Sequence, residues 1–302
     1  MEKISLNPCW KFRKLPGMTL DTLPDVLPDG LWEDVSLPHT WYIDDDPYQG
    51  LAVYERTIDR DAHWQRVFLS FDGADQRCRV FVNGHFAGEH RGGYARFRLP
   101  LPAAAMGDDA WRIQAFVENS VNEDIAPSFG DFTVFGGLYR NVDLLVCQES
   151  HFDRCYYGTD GLIVRAWMND AGQGIIDVEP HAVCEGGTIT YTLTDERGSI
   201  IHASEVPADK VIRMAVDSPT LWDGVEKAYL YTLSADLIVG GAVVDHTAVR
   251  TGFRRVELSG ENGLRLNGRP CQIRGVAKHQ DRAGAFSATM PSEIREDFAI
   301  IR

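Results

Sequence analysis

Apolar and polar positions alternate with a period of two through much of the first 150 residues. Val67, Leu69 and Phe71 form one such set; Trp111, Ile113, Ala115 and Val117 form another. Successive side chains of a strand point to opposite faces, so each set predicts the buried side of a half-buried β-strand. Turn signals break the segment into many short strands, the pattern of a sandwich or barrel of antiparallel sheets. The clearest turn is Asn83-Gly84, between Arg79-Val-Phe-Val and His-Phe-Ala-Gly88. Asn-Gly supplies two residues that tolerate positive φ, which predicts a hairpin closed by a type I′ turn.

From about residue 149 the rhythm changes. Segments 162–167, 174–183, 188–193, 200–206, 210–216, 229–237 and 242–250 read as strands at roughly ten-residue spacing, the rhythm of a seven-stranded immunoglobulin-like sandwich. The Cys…Trp…Cys spacing of antibody domains does not occur, so only the architecture is expected. Beyond Gly260, Asn267-Gly268 marks a second hairpin, and 272–276 reads as a strand. A polar loop follows, up to Thr289. Pro291 and Ser292 then open a helix with Ile294, Phe298 and Ile301 on one stripe. Strand, loop and helix make one β/α unit, the opening of a (β/α)8 barrel or another parallel-sheet domain. A lone barrel strand leaves unpaired backbone and apolar side chains in water, so this tail is expected to be mobile or to pair with another chain.

With 302 residues, 44% of them hydrophobic, the chain is long enough for two or three domains. Its formal charge of −14 argues against nucleic acid or an anionic membrane as partner. The first residues lack an apolar core of signal-peptide length and no run of about eighteen apolar residues occurs, so a cytoplasmic protein is expected. Cys9, Cys78, Cys147, Cys155, Cys184 and Cys271 are scattered, without C-x-x-C or finger spacing. They are expected as small core residues rather than disulfides or a zinc site. No Gly-rich phosphate loop, G-x-S-x-G elbow or H-E-x-x-H appears. Trp222 is expected to anchor the core of the second domain.

Several segments, in order, carry a resemblance. They are Trp32-Glu-Asp-Val-Ser-Leu-Pro-His39 with Tyr54-Glu-Arg; Phe71-Asp-Gly-Ala with Val80-Phe-Val-Asn83-Gly84 and Gly88; Asp131-Phe-Thr-Val-Phe-Gly136-Gly137-Leu-Tyr-Arg140; Pro219-Thr-Leu-Trp222; and Leu264 through Asp281, with Asn267-Gly268 and Arg274-Gly-Val-Ala-Lys-His279-Gln-Asp281. Together they resemble glycoside hydrolase family 2, the β-galactosidases and β-glucuronidases, over essentially the whole chain. The resemblance implies a mainly β fold: a jelly-roll sugar-binding domain at 1–148, an immunoglobulin-like sandwich at 149–258, and the start of a TIM-barrel catalytic domain at 259–302.

By that resemblance Asp131 contacts sugar hydroxyls at the barrel mouth and is a sodium contact. A carboxylate suits the role because it accepts hydrogen bonds from two adjacent hydroxyls; a turn-capping aspartate is the bland reading. His279 would line the sugar pocket, its imidazole donating and accepting without a full charge. Asp46, in the acidic and aromatic stretch 44–50 with Trp41, Tyr42, Tyr48 and Tyr54 nearby, is a further substrate contact, with a solvated acidic turn as the other reading. Arg274 and Asp281 are supporting residues; a barrel-facing Arg274 expects a carboxylate partner. Family members often carry Asn-Arg where this chain has Ala277-Lys278, which puts the pocket edge in doubt.

A retaining glycosidase of this family needs two glutamates from later barrel strands, about 5 to 5.5 Å apart. They are expected beyond Arg302, so no catalytic residue is assigned here and the chain alone is expected to be inactive. Glu293, Glu296 and Asp297 read as the solvated side of the helix. The full-length enzyme is expected to cleave a terminal β-linked sugar, a β-galactoside first and a β-glucuronide as alternative, with magnesium or sodium and as a homo-oligomer. A non-catalytic carbohydrate-binding module is the competing reading.

Overall fold

A computed structural model describes residues 1–41, 47–126, 134–225 and 227–301. The protein is mainly β and divides into two compact units, one of Met1 with Cys147–Ala277, the other of Glu2–Val146 with Lys278–Arg302. The segment 259–302, expected as the start of one domain, is therefore shared between the two.

The unit containing Glu2–Val146 is built on two sheets. Four strands, Glu2–Ser5, Val142–Cys147, Arg66–Phe71 and Phe97–Pro100, form one. Six form the other, in the order Glu33–Val35, Trp10–Leu15, Leu51–Asp59, Ala110–Glu118, Arg77–Val82 and His85–Arg91. Neighbours in the six-stranded sheet run antiparallel throughout. The predicted alternation is the packing code: Leu69, Phe71, Phe97 and Leu144 from one sheet meet Phe12, Tyr54, Val80 and Ile113 from the other in a single core. Trp111, Ile113, Ala115 and Val117 are all fully buried. The opposite face of the six-stranded sheet is covered as well, because Met18, Leu20, Leu23, Leu27 and Trp32 pack on Leu15, Leu51, Val53 and Phe116. That cover comes from an irregular stretch in which no periodicity could announce it.

In the other unit, Leu162–Met168, Gly174–Pro180 and Ile212–Val216 form a three-stranded sheet; Ile200–Pro207, Thr188–Thr194, Tyr231–Val239 and Ala242–Thr251 form a four-stranded one. Pairing within each is antiparallel. Ile176, Val178 and Met214 face Ile189, Tyr191, Leu233 and Leu237 across their shared core. Two differences from expectation appear here. Trp222 is only half-buried, with the Arg254 guanidinium over its ring, and Phe253, fully buried, takes the core position beside Tyr231. A ring this large is accommodated at the rim, where its backbone N–H donates to the Phe253 carbonyl. Of the six cysteines, all free thiols, only Cys78 and Cys147 are buried; Cys9 and Cys155 are exposed.

Both Asn-Gly turns form. Asn83 and Gly84 have φ of 50° and 81°, Asn267 and Gly268 of 50° and 77°, the left-handed pair a type I′ turn requires. The second hairpin joins Gly263–Leu266 to Arg269–Pro270. The strand expected at 272–276 is absent: these residues have no regular structure, and Ile273 and Val276 are exposed. A β-strand is held by its neighbours, and the described residues offer this one none. The helix forms as Pro291–Ile301, yet none of its residues is buried, so its apolar stripe stays on the surface. Among the described residues no helix is long and apolar enough to cross a membrane.

Candidate functional site

Two segments named from the sequence, 42–46 with Asp46 and 127–133 with Asp131, lie outside the described residues. The residues that flank them are described, and they are bound to one another. Asn119 Nδ2 donates to the Tyr48 carbonyl at 3.2 Å and to the Val134 carbonyl at 2.9 Å, so one side chain ties the end of the first segment to the end of the second. Trp41 Nε1 donates to the Tyr48 carbonyl at 3.1 Å, and Thr40 Oγ1 to the Gly136 carbonyl at 2.7 Å. Trp41 and Tyr54 are buried core rings packed around Phe12, the first stacked and the second tilted, rather than an open sugar face.

Glycine makes the crossing possible. A Cβ on Gly136 would lie 2.4 Å from Trp41 Cζ2, and one on Gly137 2.5 Å from the His39 carbonyl oxygen; both residues have positive φ. The Gly136-Gly137 pair threads between 39–41 and Asp75, to which Gly137 is joined by a two-way backbone bridge.

Arg140 is the hub of this end of the unit. Its Nη1 donates to the Tyr94 carbonyl at 2.9 Å, and its Nη2 to Gln280 Oε1 at 2.6 Å. Its guanidinium sits 5.0 Å from the Tyr139 ring, whose hydroxyl donates to the Gly93 carbonyl at 2.6 Å. The nearby Asp75 carboxyl is pushed up to about 6 by burial, an effect the Arg140 charge partly offsets. Phe135 packs on Phe286 at 5.8 Å between ring centres. Through Gln280 and Phe286 the chain around His279 and Asp281 is pinned beside the ends of the Asp131 segment. His279 itself is exposed, its carbonyl accepting from Lys278 Nζ at 2.9 Å, and Asp281 is exposed too.

The structure thus gathers the approaches to the Asp46 and Asp131 segments and the His279–Asp281 stretch at one end of one unit. Arg274 belongs to the other unit, and the expectation of a barrel-facing guanidinium with a carboxylate partner is corrected: Arg274 is exposed, and its Nη2 donates to Gln272 Oε1 at 3.2 Å. Sequence reasoning missed Arg140, Gln280 and Phe286. Arg140 was visible as the last residue of the Gly-Gly-Leu-Tyr-Arg segment, but no local signal links it to a residue 140 positions away. Of the helix acids, Glu296 lies 2.7 Å and Asp297 3.6 Å from Arg282 of the preceding loop, and Asp297 lies 2.9 Å from Lys278. These acids are occupied by ion pairs. Among the described residues no three His, Cys, Asp or Glu are grouped to hold a metal ion, and the sodium contact inferred for Asp131 lies outside them.

The arrangement matches known proteins along its whole length. Residues 169–254 match the model of "Glycosyl hydrolases family 2". A β-glucuronidase of Bacteroides fragilis is 28% identical over 324 residues, covering 100% of this chain and 45% of its own length. A β-galactosidase of Thermoanaerobacter pseudethanolicus is 28% identical over 287 residues, covering 90% of this chain and 38% of its own. The chain is similar to glycosyl hydrolases family 2. Among solved structures, the chain resembles Bacteroides uniformis β-glucuronidase 2 covalently bound to cyclophellitol-6-carboxylate aziridine, with a TM-score of 0.87, 28% identity, and coverage of 99% of this chain and 38% of that one. It also resembles an FMN-binding β-glucuronidase from Facaelibacterium prausnitzii L2-6, with a TM-score of 0.88, 27% identity, and coverage of 99% and 46%. The chain spans less than half the length of these relatives.

Proposed function

We propose that this chain is the sugar-orienting part of a retaining β-glycosidase that removes a terminal β-linked sugar. The observation that carries the reading is end-to-end similarity to proteins named β-glucuronidase and β-galactosidase. In this reading 1–148 is the jelly-roll sugar-binding domain, 149–258 the immunoglobulin-like sandwich and 259–302 the start of the catalytic barrel. Asp131, Asp46 and His279 contact the substrate, with Asp281 in support. The tie from Asn119 to both loop ends and the Arg140–Gln280 bond support a shared role for the first two loops and the His279 stretch.

The two catalytic glutamates are supplied outside these residues, so this chain alone binds no transition state. The enzyme works in the cytoplasm, as a homo-oligomer. A β-galactoside is the first substrate reading, from the loop around Asp131. A β-glucuronide is the second; relatives named for each activity cover 100% of this chain.

Nitrophenyl β-galactoside and β-glucuronide, offered side by side to the 302-residue chain and to a chain continued through a complete barrel, test this. Turnover by the longer protein alone is expected, and the faster substrate names the sugar. Turnover by the 302-residue chain would overturn the placement of the glutamates; none by either protein, both folded, would favour the binding-module reading.

A further inference from the structure

The outer face of the six-stranded sheet carries a cleft of about 580 Å³ whose lining includes Arg13, Trp32, Glu55, Phe81, Arg112 and Gln114. It is formed where the irregular stretch before Glu33–Val35 stands off the sheet, next to the small apolar cluster of Leu15, Val53 and Phe116.

Its unusual feature is Arg13. The side chain is only 7% exposed and belongs to Trp10–Leu15, the second strand of the six-stranded sheet. Nη1 donates to the Pro28 carbonyl at 2.8 Å, and the guanidinium carbon lies 4.9 Å from the centre of the Trp32 ring. Nε and Nη2 are buried with no hydrogen-bond partner among the described residues. An unpaired buried cation is costly, and proteins ordinarily satisfy it.

The two unused atoms make up one edge of the guanidinium, with two N–H bonds pointing the same way. That edge takes both oxygens of a carboxylate in a single plane. The same chain shows the pairing at Arg213, whose Nε meets Asp177 Oδ1 at 2.6 Å while Nη2 meets Oδ2 at 3.0 Å. At Arg13 the edge is made and the carboxylate is missing. Glu55 does not supply it: its Oε2 accepts from Gln114 Nε2 at 2.9 Å.

We propose that this cleft binds a carboxylate-bearing sugar, its carboxylate on the Nε–Nη2 edge of Arg13. The rest of the lining suits the rest of such a ligand. Trp32 and Phe81 offer ring surface to the C–H face of a pyranose, while Glu55, Gln114 and Arg112 offer acceptors and donors to its hydroxyls. The volume lies within the ordinary range for small-molecule sites. Gly30 lies against the guanidinium, where a Cβ would be 2.5 Å from Nη1. This glycine lets the covering stretch rest on Arg13. The site shares no residue with the His279 region and is independent of the proposed glycosidase reaction.

Calorimetric titration of the 302-residue chain with glucuronate, glucose and inorganic phosphate tests the proposal. Glucuronate is expected to bind at least about ten-fold more tightly than glucose or phosphate, because only it offers a planar pair of oxygens beside a sugar ring. Arg13→Met, which keeps the volume and removes the charge, is expected to lose that preference; His279→Ala is expected to keep it, which separates this site from the barrel mouth. Equal binding of glucose, equal binding of phosphate, or an unchanged preference in R13M each overturns the proposal. Should R13M not fold, the Arg13 Nε–H resonance of the wild-type chain gives the second readout. It should shift on addition of glucuronate and not of glucose, and a resonance that stays in place counts against the assignment.

Discussion

Burial acts on His39 and Asp75 in opposite directions. Desolvation lowers His39 from 6.5 to about 4, and its Nδ1 lies 2.7 Å from the Tyr54 hydroxyl. Burial holds Tyr54 far above the usual tyrosine range, so its hydroxyl keeps its proton; it accepts from the Leu138 N–H and donates to a neutral His39. The unfolded chain takes up the histidine proton near 6.5 while the native chain waits until about 4, so this group makes the native state less stable as pH falls through that window. Asp75 does the reverse: native protein holds a proton up to about 6 that the unfolded chain releases near 3.8, and stability is lost as pH rises between them. Asp75→Asn is therefore expected to stabilise the protein at pH 7 by about 1–3 kcal/mol and to do little at pH 4. His39→Gln should flatten the loss of stability below pH 6.5. Thermal unfolding of both variants across pH 4–8 checks the two signs, and a D75N that destabilises at pH 7 would show that the carboxylate is needed ionised. Neither environment was legible beforehand. His39 ends the segment Trp32 to His39 and Asp75 directly follows Phe71-Asp-Gly-Ala, but a pKa depends on what covers a side chain.

Elements with a purely local cause were the ones read correctly. Asn83-Gly84 and Asn267-Gly268 close hairpins because their positive φ is written into the two residue types. The seven strands of the second unit formed within a few residues of their expected limits because alternation and turn spacing are also local. Gly84→Ala and Gly268→Ala place a Cβ at φ of 81° and 77°, a cost of about 1 kcal/mol each, with open space around both sites. Chemical denaturation is expected to show this loss for G84A; stability equal to the wild type would mean that the turn relaxes to another type. The strand at 272–276 failed for the opposite reason. Its sequence fits a strand, but a strand exists only in a sheet, and Ile273 and Val276 meet no partner. Conversely, the short pair His151–Phe152 with Ala182–Val183 was not foreseen. It is fixed by a distant residue, since buried Asp245 accepts from the Phe152 N–H at 2.9 Å and lies against Arg154.

At the scale of the molecule, excess charge is the property the sequence states most directly. With a formal charge of −14, the compact state repels itself, and screening should relieve this. The midpoint of thermal unfolding is expected to rise by a few degrees between about 0.01 and 0.15 M salt, where the Debye length falls from about 30 to 8 Å; a fall would mean that ion pairs such as Arg77 with Asp21 and Glu89 outweigh the net repulsion. The resemblance to glycosyl hydrolases family 2 was legible because the motifs that carry it are short, ordered and local. The mainly β character was legible because a period of two is a property of neighbouring residues. What only the tertiary structure decided is everything that joins distant positions: Asn119 tying two loop ends, Arg140 holding Gln280, the stretch 18–32 covering the second face of a sheet, and Arg13 left with an unpaired edge. Periodicity records which side of a strand is buried, and composition records how much can be. Neither records which chain segment arrives to do the burying, because that is settled by packing and hydrogen bonding between residues that the sequence keeps far apart.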